Sequence, residues 1–200
     1  MNEALRIILP IYLAAFFLIA FVWRSYFVWK RTGINPYVVG KLNRPIDFVE
    51  NYYPVPTLAI LVTTLAYSFL PQFYQYASPI VWLDLFWAKV VGLALMGFAL
   101  VWTGTAQMQM GKSWRIGIDP DNKTELVEKG LFVVSRNPIF LGMRLALWGL
   151  FLTLPSAVSL ASVVLADLLM QIQVRLEEDF LRAEHGDKYT EFSGRVRRWI

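Results

Sequence analysis

Arg136, Asn137 and Pro138 stand at the head of an apolar run, directly behind Gly130-Leu131-Phe132-Val133-Val134-Ser135. A proline is suited to the first turn of a helix. The free N–H groups of such a helix start, next to a cation, suit a carboxylate or phosphate. An interfacial anchor is the alternative reading of Arg136. Further along, Asp167, Gln171, Arg175 and Glu178 recur at helical spacing, within about 80° of one face at 3.6 residues per turn. A polar stripe in an apolar segment suits a water-accessible or ligand-filled cavity, or burial against neighbouring helices. Arg144 and Asp167 flank Pro155 at similar separations, so at 1.5 Å rise both sit roughly 16–18 Å from that turn. Two opposite charges at one depth are expected to pair, either fixing register or lining a cavity.

Much chemistry is absent. The chain has no cysteine and one histidine, His185. Disulfides, thiolate ligands, cysteine nucleophiles and histidine-rich metal sites are excluded, and no metal is expected. His185 reads as a helix-terminal surface residue.

The elements that must position these residues are apolar. Of 200 residues 56% are hydrophobic and only 17% charged, against roughly 25% charged in a soluble domain. The excess lies in long runs, as in a membrane protein. Runs cover about Leu5–Trp23, Val55–Leu70, Ile80–Thr105, Pro138–Leu154 and Ser156–Arg175. The last two, separated by Pro155, read as an antiparallel hairpin. Arg24–Tyr53, with Gly33, Pro36, Gly40 and Pro45, reads as a loop with a short interfacial helix. Pro71–Pro79 reads as an uncharged turn, Met110–Ser135 as a hydrophilic segment and Leu176–Ile200 as an amphipathic tail. The first run is too long for a removable signal peptide and lacks a cleavage site.

Five spans place the termini on opposite sides. Arg24, Lys30, Arg31, Lys41 and Arg44 fall in one connection. Lys112, Arg115, Lys123, Lys129 and Arg136 fall in another, and Arg182, Lys188, Arg195, Arg197 and Arg198 in the tail. The connections at Pro71–Pro79 and Pro155 have no Lys or Arg, so the basic segments are expected in the cytoplasm and the N-terminus outside. The net charge of +4 is read as topology rather than nucleic-acid binding. The expected fold is an all-α polytopic membrane protein of about five transmembrane helices, with a C-terminal hairpin and an amphipathic cytoplasmic tail. Residues 1–105 supply three helices and 106–200 the cofactor segment, hairpin and tail, in one integrated domain.

Two motifs carry a resemblance. The first is Leu126-Val127-Glu128-Lys129-Gly130-Leu131-Phe132, then Arg136-Asn137-Pro138-Ile139-Phe140 and Gly142. The second is Glu177-Glu178-Asp179-Phe180-Leu181, then His185-Gly186-Asp187-Lys188-Tyr189, Phe192 and Val196-Arg197-Arg198. In order and spacing the stretch 111–200 resembles the isoprenylcysteine carboxyl methyltransferase and phospholipid methyltransferase superfamily of integral membrane methyltransferases. The resemblance implies S-adenosylmethionine as cofactor, lying between Gly130–Pro138 and the cytoplasmic end of the last span. It implies binding residues Leu126, Val127, Gly130, Leu131, Phe132, Ser135, Arg136, Asn137, Pro138, Phe140, Glu177, Glu178 and Leu181. In that reading Arg136 pairs with the cofactor carboxylate, Asn137 meets the adenine or amino-acid end, and Glu178, ahead of Glu177, takes the ribose hydroxyls or ammonium. Arg144 and Asp167 join Arg136 and Asn137 as positioning groups. Asn137 stands where the family often has His, and Phe132, Phe140 and Phe192 where it often has Tyr.

The implied acceptor is lipophilic: an isoprenylcysteine-like carboxylate, a phospholipid amine or a lipophilic thiol, entering from the bilayer. Arg195, Arg197 and Arg198 either hold an anionic head or anchor the tail. An amine acceptor has to lose a proton, and the sequence names no base for it. The competing classes are an NADPH-dependent membrane sterol or lipid reductase and a non-catalytic lipid-binding scaffold.

Overall fold

The computed structural model describes residues 2–38, 45–119, 122 and 124–200. Among them the secondary structure is helical, with two isolated β-bridges, Tyr37 to Ile116 and Pro79 to Ser156. Lys41, Arg44, Gly40 and Lys123, counted above in the basic and loop segments, lie outside the described residues.

The chain opens with α1 (Asn2–Phe17), continues through a π-helical segment (Leu18–Trp23) and ends as α2 (Arg24–Thr32), one unbroken rod. This corrects the expectation that the loop begins at Arg24. The rod runs on to Gly33, whose positive φ of 71° ends it. Its π segment has a local cause. A wide turn loosens the carbonyl ladder, and the Ala20 carbonyl accepts from Gln107 Nε2 at 2.9 Å. Tyr12 Oη donates to the Met96 carbonyl at 3.0 Å, and Arg24 reaches the Gly111 carbonyl.

Next come α3 (Pro45–Tyr52), α4 (Pro54–Phe69), the single turn α5 (Pro71–Tyr74) and α6 (Phe86–Met110). Each of the first three begins on a proline, where the missing N–H costs nothing. The third apolar run is shifted from its expected bounds. Ile80–Leu85 is a 3₁₀ turn and extended chain, and the helix lasts to Met110. Asp84 therefore precedes α6 and pairs with the buried Lys89, whose ammonium also donates to Asn2 Oδ1 at 2.8 Å.

The hairpin forms as expected from α7 (Pro138–Thr153) and α8 (Ala157–His185). Ser156 caps α8 in a reciprocal box with Ser159. Its turn is stitched to the α5–α6 connection by Ile80 N–H to Pro155 O and Ala157 N–H to Ser78 O. The apolar part of α8 ends at Arg175, but the helix continues to His185, taking the start of the tail with it. After Gly186, α9 (Asp187–Arg195) folds back with Tyr189 and Phe192 buried.

Glycines set the contact between α6 and α7. A Cβ on Gly149 would lie 2.7 Å from the Gly92 carbonyl oxygen, and one on Gly142 would lie 2.2 Å from Thr103 Oγ1. Backbones this close gain dispersion contacts that lipid cannot supply. The interior also changes along the bundle. Leu5, Leu9, Ile60, Met96, Leu150 and Leu154 fill the half near Asn2, while Thr103, Gln107, Gln173 and Glu178 are buried toward the basic end. Large apolar side chains such as Ile11, Val62, Val101 and Leu168 face outward. The helices Asn2–Thr32, Phe86–Ser113 and Ala157–His185 are long and apolar enough to cross a membrane.

Candidate functional site

The basic end of the bundle gathers residues from four stretches of sequence. Gly130–Val133 forms a 3₁₀ turn entered at a φ of +65°. Gln109, in the last turn of α6, lies against it and accepts from the Leu131 N–H at 2.7 Å. Ser135, fully buried, and Asn137 then deliver the chain to Pro138, whose carbonyl is held by Trp102 Nε1 at 2.8 Å.

Arg136 is the hub. Its Nε and Nη2 donate to the two carboxylate oxygens of Glu178 at 3.2 and 3.1 Å. Its Nη1 donates to the carbonyls of Ser193 and Val196 at 2.7 and 3.0 Å, and its backbone N–H to that of Arg197 at 3.0 Å. Arg198 makes a second forked pair with Glu178, with Nη2 at 2.8 Å from Oε2. Asn137 Nδ2 donates to Glu178 Oε1 at 3.0 Å and to the Arg198 carbonyl at 3.3 Å. Ser135 Oγ reaches that carbonyl too. The chain after α9 is thereby strapped across the start of α7.

Burial, the largest influence on Glu178, disfavours its charge. The hydrogen bonds from Arg198, Arg136 and Asn137 outweigh it, and the carboxyl lies below its ordinary range. The same Glu178 contact raises the Arg198 guanidinium above its usual value. Burial, with the nearby Glu178 charge, pushes the Tyr189 phenol up to about 12.

Deeper in the bundle Arg144 and Asp167 pair, Nε to Oδ1 at 2.5 Å, as their matched depth requires. The Arg144 guanidinium also stacks on Trp199, 4.4 Å from the ring centre. The tail therefore links the outer network to the inner pair. The polar stripe on α8 does not act as one unit: Gln171 and Arg175 bond to each other near the surface, while Glu178 is buried.

Several expected residues converge and others do not. Ser135, Arg136, Asn137 and Glu178 meet, whereas Glu177 turns away toward α3. Leu126 and Val127 lie in an irregular stretch beside Glu128, which ties it to α9 through Lys188 and Arg195. Phe132 and Pro138 are buried, and Leu131, Phe140 and Leu181 are half-buried. Arg198 turns inward instead of serving as a surface anchor. Gln109, Ser193 and Trp199 were not anticipated. The signal for Gln109 was present, since a glutamine at the end of an apolar run needs a partner.

Fold and site together define a helical integral membrane protein with an ion-paired polar site at one end of the bundle. The phospholipid methyltransferase family profile matches residues 87–188, from the start of α6 into α9. That is just over half of the chain, and the chain belongs to the phospholipid methyltransferase family. No curated protein matches it. Membership points to methyl transfer onto lipid substrates.

Proposed function

We propose that the protein is an S-adenosylmethionine-dependent methyltransferase acting on a lipophilic acceptor at the cytoplasmic membrane interface. In this reading five helical spans leave the N-terminus outside and the basic end inside. The observation that carries it is the Arg136–Asn137–Glu178–Arg198 network, which lies within or beside the family match.

The donor set fits the cofactor. Two guanidinium groups suit its carboxylate, Glu178 its ammonium or ribose hydroxyls, and Asn137 both donates and accepts. Gly130 and Leu131 bring backbone close, and a Cβ on Gly130 would meet the Gln109 side chain at 2.4 Å. The donors of Arg136 and Arg198 are engaged by Glu178 and tail carbonyls. Binding thus exchanges internal ion pairs for contacts with the cofactor, and Arg198, a third exposed, moves more easily than Arg136.

S-adenosylmethionine, when bound, supplies an activated methyl group on a sulfonium. The residues of this chain hold, align and desolvate; Arg136 and Glu178 fix the site and Trp199 covers its inner side. The acceptor enters laterally between helices with its head at the interface. The test is transfer of labelled methyl from S-adenosylmethionine into the lipid fraction of vesicles holding the purified protein. Label in lipid that depends on Arg136 and Glu178 supports the reading; no label in any lipid class contradicts it.

A further inference from the structure

The face of α2 that meets the end of α6 is basic. Arg24, Phe27, Val28 and Arg31 recur at i, i+3, i+4 and i+7, so they share one side of the helix. With Gly111 and Lys112 they line a cleft between the two elements. Arg24 is only 4% exposed. A guanidinium has five N–H donors. Here Nη2 serves the Gly111 carbonyl, while Nε is buried with no acceptor. A buried donor left unmatched is costly, so Arg24 is short of an acceptor.

The neighbouring charges deepen that shortage. Arg31 is close enough to Arg24 for the two to repel, and its guanidinium lies over the Phe27 ring, 4.3 Å from the centre. Lys112 joins them from the α6 side. Among the described residues no carboxylate pairs with Arg24, Arg31 or Lys112. The carbonyl end of α6 attracts a cation and accounts for Arg24. It does not account for a group of three, which calls for an anion with several oxygens.

Depth decides which anion. Trp23, Tyr26 and Trp29, on the same turns of the rod, are exposed, and tryptophan and tyrosine settle at the level of lipid headgroups. The three cations therefore stand at the height of lipid phosphates. The cleft admits one oxygen-sized group, which leaves the rest of a phosphate outside, beside the exposed Arg31 and Lys112. A choline or ethanolamine head brings a cation of its own to this cluster; an anionic head does not.

We propose that Arg24, Arg31 and Lys112 form a binding site for the phosphate of an anionic membrane lipid, in the leaflet at the basic end of the bundle. Arg24 donates from within the cleft, and Arg31 and Lys112 hold the outer oxygens. Phe27 and Val28 give the glycerol backbone an apolar wall. Basic pockets between spans suit such heads. The site is distinct from the Arg136–Glu178 network and stands independently of the methyl-transfer reading. The two meet only at the end of α6, where Gln109 holds Leu131 and Gly111 holds Arg24.

The experiment uses the purified full chain in detergent, titrated with glycerol-headgroup phospholipid, which is anionic, or with choline-headgroup phospholipid of the same chains. Native mass spectrometry counts the lipid retained per chain. The glycerol-headgroup lipid is expected to fill one site before the choline lipid does. Arg31→Gln with Lys112→Gln removes two exposed charges and spares the buried Arg24, so folding is kept. This double variant is expected to bind the anionic lipid about 30-fold more weakly, on the scale of two interfacial charges. Arg182→Gln with Lys188→Gln removes as much charge from the exposed tail and is expected to leave the binding unchanged. Millimolar inorganic phosphate is expected not to displace the lipid. Equal retention of the two lipids by the wild type, or unchanged binding in the Arg31 and Lys112 variant, overturns the proposal. So does an equal loss in the tail variant, which shows attraction to surface charge at large. Displacement by inorganic phosphate overturns the assignment to lipid and makes the cleft a site for soluble phosphate.

Discussion

Arg136 and Glu178, 42 residues apart, meet in a two-pronged ion pair that joins the start of α7 to the last turns of α8. Glu178 has to charge while buried, and it does so because three side chains donate to it. The pair is therefore strong only as a set. Removing one member leaves the others buried and unmatched.

For that reason Glu178→Ala is expected to destabilise the protein by about 3–5 kcal/mol, since two guanidinium groups lose one carboxylate. Arg198→Ala, whose side chain is a third exposed, should cost far less. Thermal midpoints of the two variants in the same detergent check the order.

The α6–α7 contact predicts a sharp contrast between glycines. Gly149→Val meets the Gly92 carbonyl and the Met96 side chain, and overpacking of this kind costs about 1–3 kcal/mol or more. Gly97→Val has open space around it and should leave the midpoint nearly unchanged.

Gly130→Ala combines a left-handed φ with contact against Gln109. The conformation alone costs roughly 1–2 kcal/mol for a residue with a Cβ. The expected result is weaker binding of S-adenosylhomocysteine, by about tenfold or more on that scale, measured by titration calorimetry.

At the Arg144–Asp167 pair, Arg144→Met alone strands a carboxylate among apolar helices, whereas Arg144→Met with Asp167→Leu strands nothing. The double variant is expected to be more stable than either single one. A full double-mutant cycle, with thermal midpoints, measures the coupling.

The sequence carried some of this plainly and some not at all. Periodicity and Pro155 revealed the hairpin, and similar distances from that proline put Arg144 opposite Asp167. The motif residues Ser135, Arg136, Asn137 and Glu178 were legible because local patterns marked them. Helix bounds were harder: Arg24–Thr32 is polar enough to read as loop, yet Gln107 on α6 and the Gly111 carbonyl just beyond its end hold it in line with α1. The tail was illegible for a different reason. Ser193, Val196 and Arg197 take part through backbone carbonyls, which no side-chain pattern encodes. Likewise Glu177 and Glu178 look alike as neighbours, and only the packing of α3 against α8 gives them separate surroundings.

The central claim is a cofactor site at the Arg136–Glu178 end of the bundle, and ligand-dependent thermal stability tests it most directly. At about 100 times its dissociation constant, a ligand that binds only the folded state adds about 2.7 kcal/mol. S-adenosylhomocysteine is predicted to raise the midpoint of the wild type, with the shift lost in Arg136→Ala and Glu178→Gln. Stabilisation by NADPH in place of S-adenosylhomocysteine, or by neither with the protein folded, would contradict the account.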